Sequence, residues 1–135
     1  MLLKAYPAVF TPEEGGGYFI DFPDVQGAYT GINENDVAYG MEMAEEALGL
    51  VLADITESGE KMPEPTPVHE LKVPEGGLVT LIKVDLVKFF KDMTPVKKTL
   101  TIPTWANELG NRHGINFSQL LTTAIANVST STRDL

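Results

Sequence analysis

The chain has 135 residues, of which 43% are hydrophobic and 21% charged, with no cysteine and a net charge of −9. That size and balance suit one ordinary soluble globular domain or two small ones, and the lack of cysteine excludes disulfides, thiolate chemistry and Cys-ligated zinc. The charge is divided unevenly: residues 1–92 carry 17 acids and 6 bases, a balance of −11, whereas residues 93–135 carry 2 acids and 4 bases, a balance of +2. An acidic body repels phosphate backbones and suits a basic partner, so only the tail is expected to approach nucleic acid.

The first elements are short strands. Leu3 to Phe10 alternates and ends in a turn cluster, Thr11 to Gly17. Tyr18-Phe19-Ile20-Asp21-Phe22 resumes a strand, so the pair reads as a hairpin whose three glycines, 15–17, form a flexible loop. Those glycines lack the Lys-Ser/Thr and helix that would follow in a phosphate-binding loop. Pro7 inside the first run predicts an edge or bulged position. After the turn at Pro23-Asp24, Gly27 to Ile32 makes a third strand. The N-terminal stretch shows none of the charged head, apolar core and small-residue cleavage site of a signal peptide. No run of about 18 apolar residues occurs, so no membrane span is expected and the address is read as cytoplasmic.

A helix follows. Val37, Met41, Ala44, Leu48, Val51 and Ile55 step by three or four, with Asn33 or Asn35 as the expected cap and Gly59 as the expected stop. Gly40 and Gly49 cost helix propensity, which points to close packing against the sheet. Lys61 to Pro67, with Pro at 63, 65 and 67, reads as an extended connector. Leu78 to Val84 is a buried-strand candidate, Leu86 to Lys91 a short helical turn, and Met93-Thr94-Pro95 a linker where the charge changes sign. Residues 1–92 thus read as a βββαβ domain of the α+β class.

The tail, residues 96–135, opens on a strand. In Val96 to Pro103, Leu100 and Ile102 face one way and Lys97, Thr99 and Thr101 the other. A helix from Pro103-Thr104 to about Arg112 buries Trp105, Ala106 and Leu109. A second, capped by Asn116, carries Leu120, Leu121, Ala124, Ile125 and Val128 as its stripe. One strand and two short helices bury too little surface to stand alone, and the strand leaves an open edge. Two copies solve both problems: the strands pair antiparallel and four helices cover their apolar face, with Leu100, Ile102, Trp105, Leu109, Leu120, Leu121 and Ile125 as the dimer core. The other face of the ribbon shows Lys97, Thr99 and Thr101, with Lys98 beside them, and a two-stranded ribbon fits the major groove. Lys and Thr are ordinary on any solvated strand face; the two helices that follow turn the reading toward DNA. The first turn of the second helix offers the amides of Phe117 and Ser118, next to Asn116, to a phosphate.

In order along the chain, Tyr6-Pro7-Ala8-Val9-Phe10, Gly17-Tyr18, Phe22-Pro23-Asp24-Val25-Gln26-Gly27, the acidic helix and Pro63-Glu64-Pro65 resemble the N-terminal domain of HicB antitoxins. The run Lys98 to Pro103, with Trp105, Leu109, Gly114 to Ser118 and Leu120-Leu121, resembles a ribbon-helix-helix tail. The resemblance implies a degenerate RNase H-like N-terminal domain without nuclease activity. It also implies a small basic mRNA-cleaving HicA-type toxin as partner, and a homodimeric tail that represses its own operon by binding operator double-stranded DNA. The turn Asp21, Phe22, Pro23 and Asp24 is the segment expected to meet the toxin. The alternative is a ribbon-helix-helix regulator without a toxin, whose N-terminal domain senses a ligand. Asp21 and Asp24, with Glu13 and Glu14, also raise a metal-dependent nuclease, but no His lies in either segment and the carboxylates sit on different elements. His69 and His113 are scattered, so no metal, cofactor or catalytic residue is expected.

Overall fold

The computed structural model describes residues 1–131; the last four positions of the expected tail domain, 132–135, lie outside the described residues. Four strands, β1 (Leu3–Pro12), β2 (Tyr18–Asp21), β3 (Tyr29–Ile32) and β4 (Leu78–Asp85), form one antiparallel sheet in the order β3-β2-β1-β4. The helix α1 (Val37–Glu57) lies between β3 and β4 in sequence and packs on one face of the sheet. The mixed architecture and strand order follow the expected βββαβ run.

Alternation explains the core. Tyr6, Ala8 and Phe10 of β1 stand opposite Ile82, Thr80 and Leu78 of β4, and Phe10 also stands opposite Ile20 of β2. These positions share the face that receives Ala44, Leu48 and Leu52 of α1, all fully buried. Gly40 brings the helix close to this layer, because a Cβ there would stand 2.8 Å from the Phe10 ring and 3.1 Å from Ile20. Gly49 has a different neighbour from the sheet the sequence suggested. It lies against the ring of Phe89, which follows β4 in a short 3-10 turn, Leu86–Phe89.

One cap differs from the sequence reading. Asp36 caps α1, its side chain accepting from the Tyr39 amide at 3.1 Å. Asn35 instead accepts from the Gly17 amide at 2.9 Å and ties the hairpin loop to the helix entry. In that loop Gly15, Gly16 and Gly17 have φ of +90°, +108° and +79°, and the Glu13 amide donates to the Gly17 carbonyl at 3.1 Å. The interior placement of β1 modifies the edge expectation for Pro7. Its partner in β4 is Leu81, while the pairing with β2 begins only at Val9, so the missing N–H falls where β2 offers no ladder.

In the tail, α2 (Thr104–Arg112) and α3 (Phe117–Ser129) form as the sequence suggests. Residues 91–103 take no helix and join no ladder among the described residues, which is what a lone strand must do in a single chain. The far end of α3 reaches back to the body. Ala126 packs on the core, and the carbonyl of the buried Thr130 accepts from the Lys4 ammonium at 3.0 Å. Burial at this contact lowers the Lys4 pKa from its ordinary value.

Candidate partner and DNA interfaces

The turn after β2 is built more for structure than for display. Phe22 is buried in the core, and its amide and carbonyl close the turn with Ala28 and Val25, at 3.1 Å and 3.0 Å. Asp24 uses both carboxylate oxygens on Thr66, accepting from its amide at 2.9 Å and from its hydroxyl. Nearby, the Tyr6 hydroxyl donates to the Pro63 carbonyl. These bonds pin the proline-rich connector against the sheet. Burial, and then the Asp24 charge, push the Tyr6 phenol up to about 12. Of the four residues expected to meet a toxin, Pro23 is exposed and Asp21 half-buried, with burial raising the Asp21 carboxyl. Among the described residues, no group of three or more His, Asp or Glu side chains is placed to share a metal ion. No helix among them is long and apolar enough to cross a membrane.

The tail presents the opposite case, side chains with little to cover them. Lys97, Lys98, Thr99 and Thr101 are exposed, and so are the apolar residues that alternate with them, Leu100 at 55% and Ile102 at 45%, and Trp105 of α2 at 66%. Leu109, Leu120, Leu121 and Ile125 are exposed on the two helices. Within the tail the fixed contact is the Phe117 ring over Gly110, where a Cβ would stand only 2.3 Å away. Asn116 caps α3 by accepting from the Gln119 amide at 3.1 Å, with Phe117 and Ser118 in the open first turn.

Residues 6–109 match the family model described as the HicB-like antitoxin of bacterial toxin-antitoxin systems. The chain belongs to the HicB-like antitoxin family. It is 36% identical over 112 residues to Antitoxin HicB 1 of Photorhabdus laumondii, a match spanning 82% of this chain and 63% of that protein. Among solved structures, a chain of the toxin-antitoxin complex from Streptococcus pneumoniae aligns with a TM-score of 0.60 and 32% identity. That alignment covers 93% of this chain and 99% of that one. The Burkholderia pseudomallei antitoxin HicB aligns with a TM-score of 0.58 at 21% identity, covering 93% of this chain and 98% of that one, and shares the fold. HicB-like antitoxins are not enzymes.

The sequence reading missed two features of this HicB-like chain. One is the tie of α3 to the body through Lys4 and Thr130, which no local pattern announces because the partners are 126 residues apart. The other is the open outer edge of β4 beside Met41, Glu42 and Glu45 of α1. No local pattern marks that edge, because it follows from strand order.

Proposed function

We propose that the two parts of this antitoxin divide the work. Residues 1–92, as a degenerate RNase H-like domain, neutralise a small basic HicA-type toxin. Residues 96–135 dimerise as a ribbon-helix-helix unit and repress the operon by binding operator DNA. The chain acts in the cytoplasm and needs no cofactor.

The observation that carries the reading is the contrast in burial. The core lies almost wholly within the N-terminal domain, with Ala126 of α3 packed against it, whereas Leu100, Ile102, Trp105, Leu109 and Leu120 stand exposed in the tail. Exposed apolar residues on one strand and two helices call for a symmetric partner of the same kind. Pairing two copies of 96–103 antiparallel would cover them. It would leave Lys97, Thr99 and Thr101 of both chains on the outer face, with Lys98 beside them and the α3 N-termini flanking at phosphate level. The acidic balance of residues 1–92 favours encounter with a basic toxin and keeps that domain away from DNA.

The test is operator binding by gel shift alongside toxin pull-down. Lys97→Ala is expected to weaken operator binding by about tenfold or more, a loss of roughly 1–3 kcal/mol, and to leave toxin capture unchanged. Full operator affinity in that variant at physiological salt would remove the ribbon assignment. Operator binding with no toxin captured would favour a stand-alone regulator.

A further inference from the structure

Among the described residues, the outer strand β4 offers an unpaired backbone edge whose phase follows from its pairing with β1. The Leu86 amide donates to the Leu2 carbonyl at 2.9 Å, so the pairs in step with it, Lys4–Val84, Tyr6–Ile82 and Ala8–Thr80, are the hydrogen-bonded ones. Pro7, with no N–H to give, stands opposite Leu81 at a non-bonded position, in agreement. The N–H and C=O groups of Leu81 and Lys83 therefore point away from β1. They open onto a groove whose opposite wall is Ala38, Met41, Glu42 and Glu45 of α1. The side chains of Ile82 and Val84 are buried, while those of Leu81 and Lys83 alternate to the far face, so these two residues contribute backbone to the groove. Native sheets usually blunt such an edge by shortening it, with a bulge, or by placing charge along it. Here the eight-residue β4 pairs with β1 without a break from Leu78 to Asp85, and one Lys is its only charge before Asp85.

We infer that the β4 edge is the toxin-docking site, taking a strand from a basic protein by β-augmentation. The inference rests on the antitoxin reading above and names its contact surface. Backbone groups of Leu81 and Lys83 would bond the incoming strand, and Met41 would meet its apolar side chains. Glu42 and Glu45 would pair with its cations. A second copy of this chain is the wrong occupant, because it would bring two domains of balance −11 together and set one Glu42/Glu45 wall near another. The turn at 22–27 is less suited, since Phe22 and Asp24 are already engaged.

Residue-resolved amide exchange on the full chain tests this, with and without the co-purified product of the adjacent small basic reading frame. In the free chain, Thr80, Ile82 and Val84 should exchange slowly and Leu81 and Lys83 fast. In the complex, Leu81 and Lys83 should slow by on the order of tenfold or more. Glu42→Lys with Glu45→Lys should weaken the complex by about tenfold with the thermal midpoint retained. A stable complex in which Leu81 and Lys83 keep their free rates would overturn the edge assignment and leave the antitoxin reading standing. Protection of both amides in the free chain that grows with its own concentration would assign the edge to a second copy and overturn the basic partner. Failure to form any complex would overturn both readings.

Discussion

Tyr6 joins three parts of the chain: its ring lies in the sheet core, its hydroxyl holds the connector at Pro63, and its phenol feels Asp24. Because its folded pKa rises to about 12 from an ordinary 10.0, the folded state keeps a proton that the unfolded state loses above pH 10. Stability from this group is therefore complete below pH 10 and declines as pH rises through the folded value. Tyr6→Phe should cost about 1 kcal/mol at neutral pH and flatten the alkaline decline between pH 10 and about 12, as read by denaturant titration across pH. An unchanged alkaline slope would show that another group governs it. Gly17 is the other residue that fixes local geometry. With φ of +79° and a would-be Cβ 1.9 Å from the Ile32 carbonyl oxygen, Gly17→Ala should lose roughly 2–4 kcal/mol. Gly15→Ala, with a similar φ of +90° but open space around it, should lose about 1–2 kcal/mol in the same thermal melts.

At the scale of elements, periodicity carried most of the information. Alternation at Leu3 to Phe10, the buried-strand run Leu78 to Val84, and the three-four spacing from Val37 to Ile55 correspond to β1, β4 and α1 within a few residues. These patterns are legible because each element buries one face against the others, which leaves a period in the sequence. Capping was less legible. Asn33, Asn35 and Asp36 are all good caps, and the choice among them depends on Asn35 being drawn to the Gly17 amide across the loop. The Phe22 to Gly27 segment is legible as a turn, because Pro23 fixes one dihedral and Gly27 permits another. Its bonds to Thr66 come from a connector some 42 residues away and have no local signature. The same limit hid the β4 groove, since an edge is a property of strand order rather than of any strand's own composition.

For the whole molecule, the charge division and the burial division coincide. The acidic part is closed and the weakly basic tail is open along its apolar residues, apart from the α3 end tied to Lys4. The dimer proposed above would use that open apolar face, and Leu100→Asp should break it. Sedimentation or light scattering should then report half the mass, and operator binding should fall with it, while the N-terminal domain keeps its thermal transition. A Leu100→Asp protein that stays dimeric at micromolar concentration would place the association elsewhere.

Neutralisation of a toxin is measured most directly by growth rescue. The chain and the adjacent small basic reading frame would be expressed from separately inducible promoters in one bacterial host. The small protein alone is expected to arrest growth, induction of this chain to restore it, and the two to co-purify. Arrest that persists when the chain is present in excess, or a neighbour that never arrests growth, would contradict neutralisation.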